Sequence, residues 1–352
     1  MAGRPRPPVV GKGIAHALSG AWRGHAAPIQ ISAPELVPCV DALVRSGAGA
    51  LVWHRLRATG WRDAPGLESL HGAHQTDRLR SAMNARHVIE AITAMRDAGI
   101  DAMLLKGWSV ATCYADPALR PLGDIDLLVR DHDGGAARER AAALAVRRPP
   151  IDLHTSLLDL TDRTVAQLFE RSRMIPLGDI AVRVLGREDQ FRHLCLHFFR
   201  HAGSRPLWLC DIAATLEAMP HDFDWERCLA GDALLSERVV AAVGLAERIL
   251  GAIPARPLPS RWRRRLPAWL PRAVLRTWGT PFDARVFRPT AMSLSLRTPG
   301  EILPALLRRW PNPLEATVER KVGLTGTWRP FVQLHEATAR AFRFIPRLAT
   351  GR

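Results

Sequence analysis

Three carboxylates and a lysine near the middle of the chain have the types and spacing to handle phosphate chemistry. Asp124 and Asp126 occur in Arg120-Pro121-Leu122-Gly123-Asp124-Ile125-Asp126-Leu127-Leu128-Val129, and Asp152 in Ile151-Asp152-Leu153-His154. Residues two apart on a strand share a face, so Asp124 and Asp126 project together while Ile125, Leu127 and Val129 face the other way. Their repulsion is relieved by a shared divalent cation, and hard oxygen donors with room for water and phosphate suit Mg²⁺, or Mn²⁺ in its stead. With Asp152 on a neighbouring strand, three carboxylates suffice to hold two such ions for in-line attack on a nucleotide α-phosphate. His154 lies on the face of Asp152, where it can move a proton or orient a substrate. Lys106-Gly107 closes the apolar run ahead of them; close backbone approach at the glycine and the start of a helix favour a phosphate group there. Arg120 supplies a second cation for a triphosphate.

These side chains need strands to carry them, and the local patterns supply three. Ile100 to Leu105 reads as a buried strand, Asp124 to Val129 as a second and Ile151 to Ser156 as a third, with a short helix over 108–115 and another over 134–146. The link between Asp126 and Asp152 holds that helix and a turn, with little room for more. Ahead of this centre, apolar residues recur at helical spacing over 34–57 and again over 77–97, where Gly99 ends the helix as a C-cap. Beyond residue 160 helical patterns dominate, over 187–202, 206–219 and 233–251. The expected division is a flexible Pro/Gly/Arg-rich arm over 1–30, an N-terminal helical lead over 31–99, an α/β core over 100–160 and a helical C-terminal region over 161–352.

The run Leu104-Leu105-Lys106-Gly107, then Tyr114, then Arg120 to Val129, then Ile151 to His154 resembles the uncharacterised nucleotidyltransferase family of bacteria, within the polymerase-β-like superfamily. The resemblance covers roughly residues 80–250, weakly in its second half through Leu194-Cys195-Leu196-His197 and Trp208-Leu209-Cys210-Asp211-Ile212. It implies an α+β fold with a small mixed sheet between N-terminal helices and a mostly helical C-terminal region. It also implies transfer of a nucleoside monophosphate from an NTP to an acceptor hydroxyl, with pyrophosphate released. Asp124 and Asp126 become metal ligands and Asp152 the third carboxylate; Lys106-Gly107 stands where many relatives carry Gly-Ser. The lysine with Arg-x-x-x-Asp-x-Asp is also similar to nucleotidyltransferase toxins of abortive-infection systems, which support Lys106 as a phosphate contact. The acceptor stays open among peptide, glycan, small molecule and RNA. Two alternatives stand beside this function: a degenerate fold that only binds, and a toxin-like transferase acting on tRNA.

Composition narrows the rest. The formal charge is +15, and of 49 basic residues only Lys12, Lys106 and Lys321 are lysine. Such a balance suits phosphate-bearing partners without choosing among them. Five cysteines with no Cys-x-x-Cys argue against a disulfide framework or zinc ribbon and suit a reducing cytoplasm. No apolar stretch approaches the roughly 18–20 residues of a membrane span. Neither a P-loop nor a dinucleotide-binding glycine motif occurs, nor a Gly-x-Ser-x-Gly nucleophile. His193, His197 and His201 recur every four residues, a spacing that serves metal ligation, helix packing or, for His197, a substrate cleft. Arg261-Trp262-Arg263-Arg264-Arg265, within the Pro- and Trp-punctuated stretch 254–313, is the densest basic run.

Overall fold

The computed structural model describes residues 7–57, 59–61, 63–144, 150–281 and 310–349, with backbone alone at 341 and 343–349. In chain order its helices are α1 (Pro7–Leu18), α2 (Ala33–Leu36), α3 (Val40–Arg45), α4 (Gly49–Leu56), α5 (Glu68–Asp97), α6 (Gly107–Ala111), α7 (Gly134–Leu144) and α8 (Val165–Glu170). They continue with α9 (Arg187–Arg200), α10 (Pro206–Glu217), α11 (Trp225–Leu229), α12 (Ala233–Leu250), α13 (Trp269–Gly279), α14 (Pro313–Glu319) and α15 (Arg329–Ala349). The strands are β1 (Met103–Leu104), β2 (Ile125–Leu128), β3 (Ile151–His154), β4 (Arg173–Leu177) and β5 (Ile180–Val184).

One mixed sheet in the order β3-β2-β1-β5-β4 carries the centre. β2 runs antiparallel to β1 and parallel to β3, while β5 runs parallel to β1 and antiparallel to β4. Alternation along the strands divides the core. Leu104, Ile125, Leu127, Val182 and Val184 face a cluster with Val88, Ala91, Ile92 and Met95 of α5 and Ala137 and Ala141 of α7. Met103, Leu105 and Leu128 face the larger cluster, built with the helical remainder. The mixed-sheet α+β architecture implied by the family resemblance is thus what the chain adopts, with helices on both flanks.

Three features depart from the local patterns. The hairpin β4–β5 lies where helices were expected; Gly178-Asp179 makes its two-residue turn, with Gly178 at φ 55°. β4 is an edge strand, where Pro176 withholds no needed ladder hydrogen bond. The expected helix over 34–57 is three pieces, because Pro38 sits in a 3₁₀ turn and Gly47 adopts φ 79°. Of the arm expected over 1–30, residues 1–6 lie outside the described part, but Pro7–Leu18 is a helix with Ile14, Ala17 and Leu18 fully buried. It seats on α13 so closely that a Cβ at Gly11 would stand 1.8 Å from the Leu275 carbonyl oxygen, and one at Gly279 1.7 Å from that of Pro7. Glycine is required at that crossing by space alone. Of the stretch 254–313, residues 282–309 lie outside the described part; within it, Arg261 and Trp262 both bind Glu226.

Candidate active site

The pairing of β2 with β3 decides where the acidic residues go. The parallel register sets Asp126 opposite Asp152 and Leu128 opposite His154. It is fixed at both ends: the Ile125 N–H donates to the Pro150 carbonyl at 3.0 Å and the Val129 N–H to that of His154 at 2.9 Å. With a side-chain period of two, Asp126, Asp152 and His154 emerge on one face, and one ligand atom of each lies within 4.8 Å of the others. His154 Nε2 is 3.0 Å from Asp126 Oδ1 and 3.5 Å from Asp152 Oδ2. Lys106 approaches from the end of β1, its Nζ 3.5 Å from Asp126 Oδ2.

Asp124 stands apart from that set. It precedes the first residue of β2, is exposed, and does not join the converging ligand atoms. Asp126 is mostly buried and Asp152 is half open, its side chain 56% exposed. Burial works to raise the Asp126 carboxyl, but the His154 hydrogen bond and the Lys106 charge together hold it below the ordinary range. His154 moves the other way, raised first by the Asp126 hydrogen bond and then, against its own burial, by both carboxylates.

Lys106 is in an uncommon conformation for a residue with a side chain, φ 44° and ψ −136°, followed by Gly107 at φ 46°. This turn ends β1 and starts α6, a helix of five residues. The Leu105 N–H donates to the Asp126 carbonyl at 3.0 Å, which ties the turn to the acidic strand.

Arg120 is engaged inside the protein. Its Nε and Nη2 bind Oδ1 and Oδ2 of Asp211 at 3.2 and 2.9 Å, Nη1 binds the Pro121 carbonyl, and the Tyr114 hydroxyl donates to Asp211 Oδ1 at 2.7 Å. Burial and the Asp211 charge push the Tyr114 phenol well up. Tyr114 therefore packs in the core, and Arg120 anchors the segment leading to β2 onto α10.

A second cluster lies near the first, on the face of the sheet that packs on α9. His193 and His197, one turn apart on α9, converge on Asp159, a buried residue of the loop after β3. His201 packs beyond them, tilted against His197 and Trp208, rather than joining the carboxylate. The clusters are near enough that Lys106 lowers His193 and His197 and that His193 lowers Asp126. The histidine spacing was visible in the sequence; Asp159 was not, since a single acid in Leu157-Leu158-Asp159-Leu160 has no periodic signature. Its available clue was an acid within an otherwise apolar run.

A small mixed sheet presenting paired carboxylates on adjacent parallel strands, backed by a helical region, defines the class of structure. The chain belongs to the family described as uncharacterised nucleotidyltransferase, whose model matches residues 38–149 and 145–251. No curated protein and no solved structure matches it. No helix among the described residues is long and apolar enough to cross a membrane.

Proposed function

We propose that the protein transfers a nucleoside monophosphate from an NTP to an acceptor hydroxyl and releases pyrophosphate. The observation carrying this reading is the Asp126–Asp152 register, which brings two carboxylates and the His154 imidazole within reach of one ion. That donor set fits a divalent cation; the imidazole makes Mn²⁺ as acceptable as Mg²⁺, which prefers oxygen alone. Asp126 and Asp152 would hold it, joined by Asp124 if the bend before β2 turns inward. Bound there, the cation would neutralise charge developing on the α-phosphate and on the leaving pyrophosphate.

The protein's own residues divide the remaining work. Asp152, the most open of the converging groups, accepts the proton of the acceptor hydroxyl as its oxygen attacks the α-phosphorus and the bond to the β-phosphate oxygen breaks. His154 holds the two carboxylates in register. Lys106, which balances Asp126 before substrate arrives, turns to the triphosphate, and Gly107 permits close approach of the backbone. Arg120 acts as a positioning residue through Asp211, and His197 lies on the acceptor side. The five free cysteines suit a reducing cytoplasm, where NTPs and Mg²⁺ are available.

The test is incubation with each α-labelled NTP, Mg²⁺ or Mn²⁺, and the RNA, protein and small-molecule fractions of a bacterial lysate. Wild type should label one fraction, and Asp126→Asn with Asp152→Asn should abolish labelling with the circular dichroism spectrum unchanged. Equal labelling by the double variant, or no labelling with any NTP, overturns the proposal. Label at tRNA 3′ ends would select the toxin-like reading of the acceptor.

A further inference from the structure

The Asp159–His193–His197 cluster is built like a coordination site, and the chemistry proposed above uses none of it beyond placing His197 on the acceptor side. We propose that it binds a divalent transition-metal cation of borderline softness, Zn²⁺ being the best match, separately from the Asp126–Asp152–His154 group.

Asp159 Oδ2 lies 3.3 Å from His193 Nε2 and 3.1 Å from His197 Nδ1. Zinc with bonds of about 2.0–2.2 Å in tetrahedral arrangement sets its donor atoms about 3.3–3.5 Å apart, so both carboxylate–imidazole spacings are already close to those an ion imposes. All three residues are buried, at 6%, 3% and 8% exposure, and two of them sit on one face of α9, where four-residue spacing fixes their relative position. The donors therefore need little rearrangement.

Arg200 Nε sits 2.8 Å from Asp159 Oδ1 as an ion pair without hydrogen-bond alignment, while Oδ2 is the oxygen turned to the histidines. The protonation states agree as well. Burial drives His193 and His197 down, and hydrogen bonds to both imidazoles hold Asp159 below the ordinary carboxylate range despite its own burial. Neutral imidazoles and an ionised carboxylate are what a cation requires.

Two nitrogens and one oxygen select against Mg²⁺ and Ca²⁺, which take oxygen, and in favour of Zn²⁺. Three protein donors leave a fourth position for water or another ligand. A hydrogen-bonded Asp–His₂ group without metal has the same heavy-atom distances, so metal uptake distinguishes the two.

The tag-free full chain, stripped with chelator and confirmed folded by circular dichroism, is titrated with Zn²⁺ alone, and bound metal is counted by mass spectrometry. Wild type should retain one zinc per chain. His193→Gln and His197→Gln should each weaken binding by more than the roughly 10–100-fold that follows loss of an outer-sphere partner. Asp126→Asn with Asp152→Asn should retain the zinc, so the result is independent of nucleotidyl transfer. Co²⁺ added to stripped wild type should give the visible bands of a tetrahedral nitrogen and oxygen site, abolished by zinc; this reading stands even if a histidine variant fails to fold. Folded wild type that takes up no zinc and shows no such bands overturns the proposal, as does zinc that is lost with Asp126 and Asp152 but kept in His197→Gln.

Discussion

Asp126 is held between the Lys106 ammonium at 3.5 Å and the His154 imidazole at 3.0 Å. The pairing with His154 makes the site pH-dependent with a definite sign. His154 is raised above its unfolded value of about 6.5, so its contribution is complete below that value and is lost as pH rises through the raised one. Asp126 is lowered from about 3.9, so its contribution is complete above that value and is lost as pH falls through the lowered one. Both act together between about pH 4 and 6.5. In chelator-treated protein, an NMR titration should give His154 a pKa above the ordinary histidine value, and Asp126→Asn should bring it down. A wild-type His154 that titrates at or below the ordinary value contradicts the pairing. The residue types of this cluster were legible from the sequence, since strand alternation alone puts Asp152 and His154 on one face. The ion pair of Lys106 with Asp126 was not, because it depends on a positive φ at Lys106 that no local pattern announces.

At the scale of elements, the site depends on how β2 is delivered. The segment before it is fastened to α10 by the Arg120–Asp211 pair, closed by the Tyr114 hydroxyl and buried throughout. Removing one partner of such a pair strands the other charge, so Arg120→Ala should cost about 3–5 kcal/mol of stability in denaturant unfolding. Arg120→Met combined with Asp211→Leu should recover a good part of that loss. A single variant as stable as wild type would mean that the pair does not anchor the segment. Periodicity located β1, β2, β3 and the helices α9, α10 and α12 within a few residues. It left residues 173–184 without an element inside a region read as mostly helical, although two alternating runs flank Gly178-Asp179, because five-residue runs stand out less than the longer helical patterns that follow. It also joined α2, α3 and α4 into one helix, since spacing of apolar residues persists across Pro38 and Gly47 while the backbone does not.

Across the whole molecule, the sheet face that carries Asp126, Asp152 and His154 is the one that packs on the helical region. Asp126, Asp152 and His154 lie on the sheet side and His193 and His197 on α9, with Lys106 electrostatically coupled to both. The N-terminal helix locks onto α13 far along the chain, a long-range contact that local periodicity cannot anticipate because it rests on two glycines at a crossing. On the proposed function, a divalent cation and a nucleotide bind together at Asp126 and Asp152 on the sheet side. Crystals of the full chain grown with Mn²⁺ and a non-hydrolysable NTP analogue test it through the anomalous signal of manganese. A manganese peak bounded by Asp126 and Asp152, with the nucleotide phosphates towards Lys106, is the expected result. Manganese and nucleotide bound elsewhere, with Asp126 still held by Lys106 and His154, would contradict it.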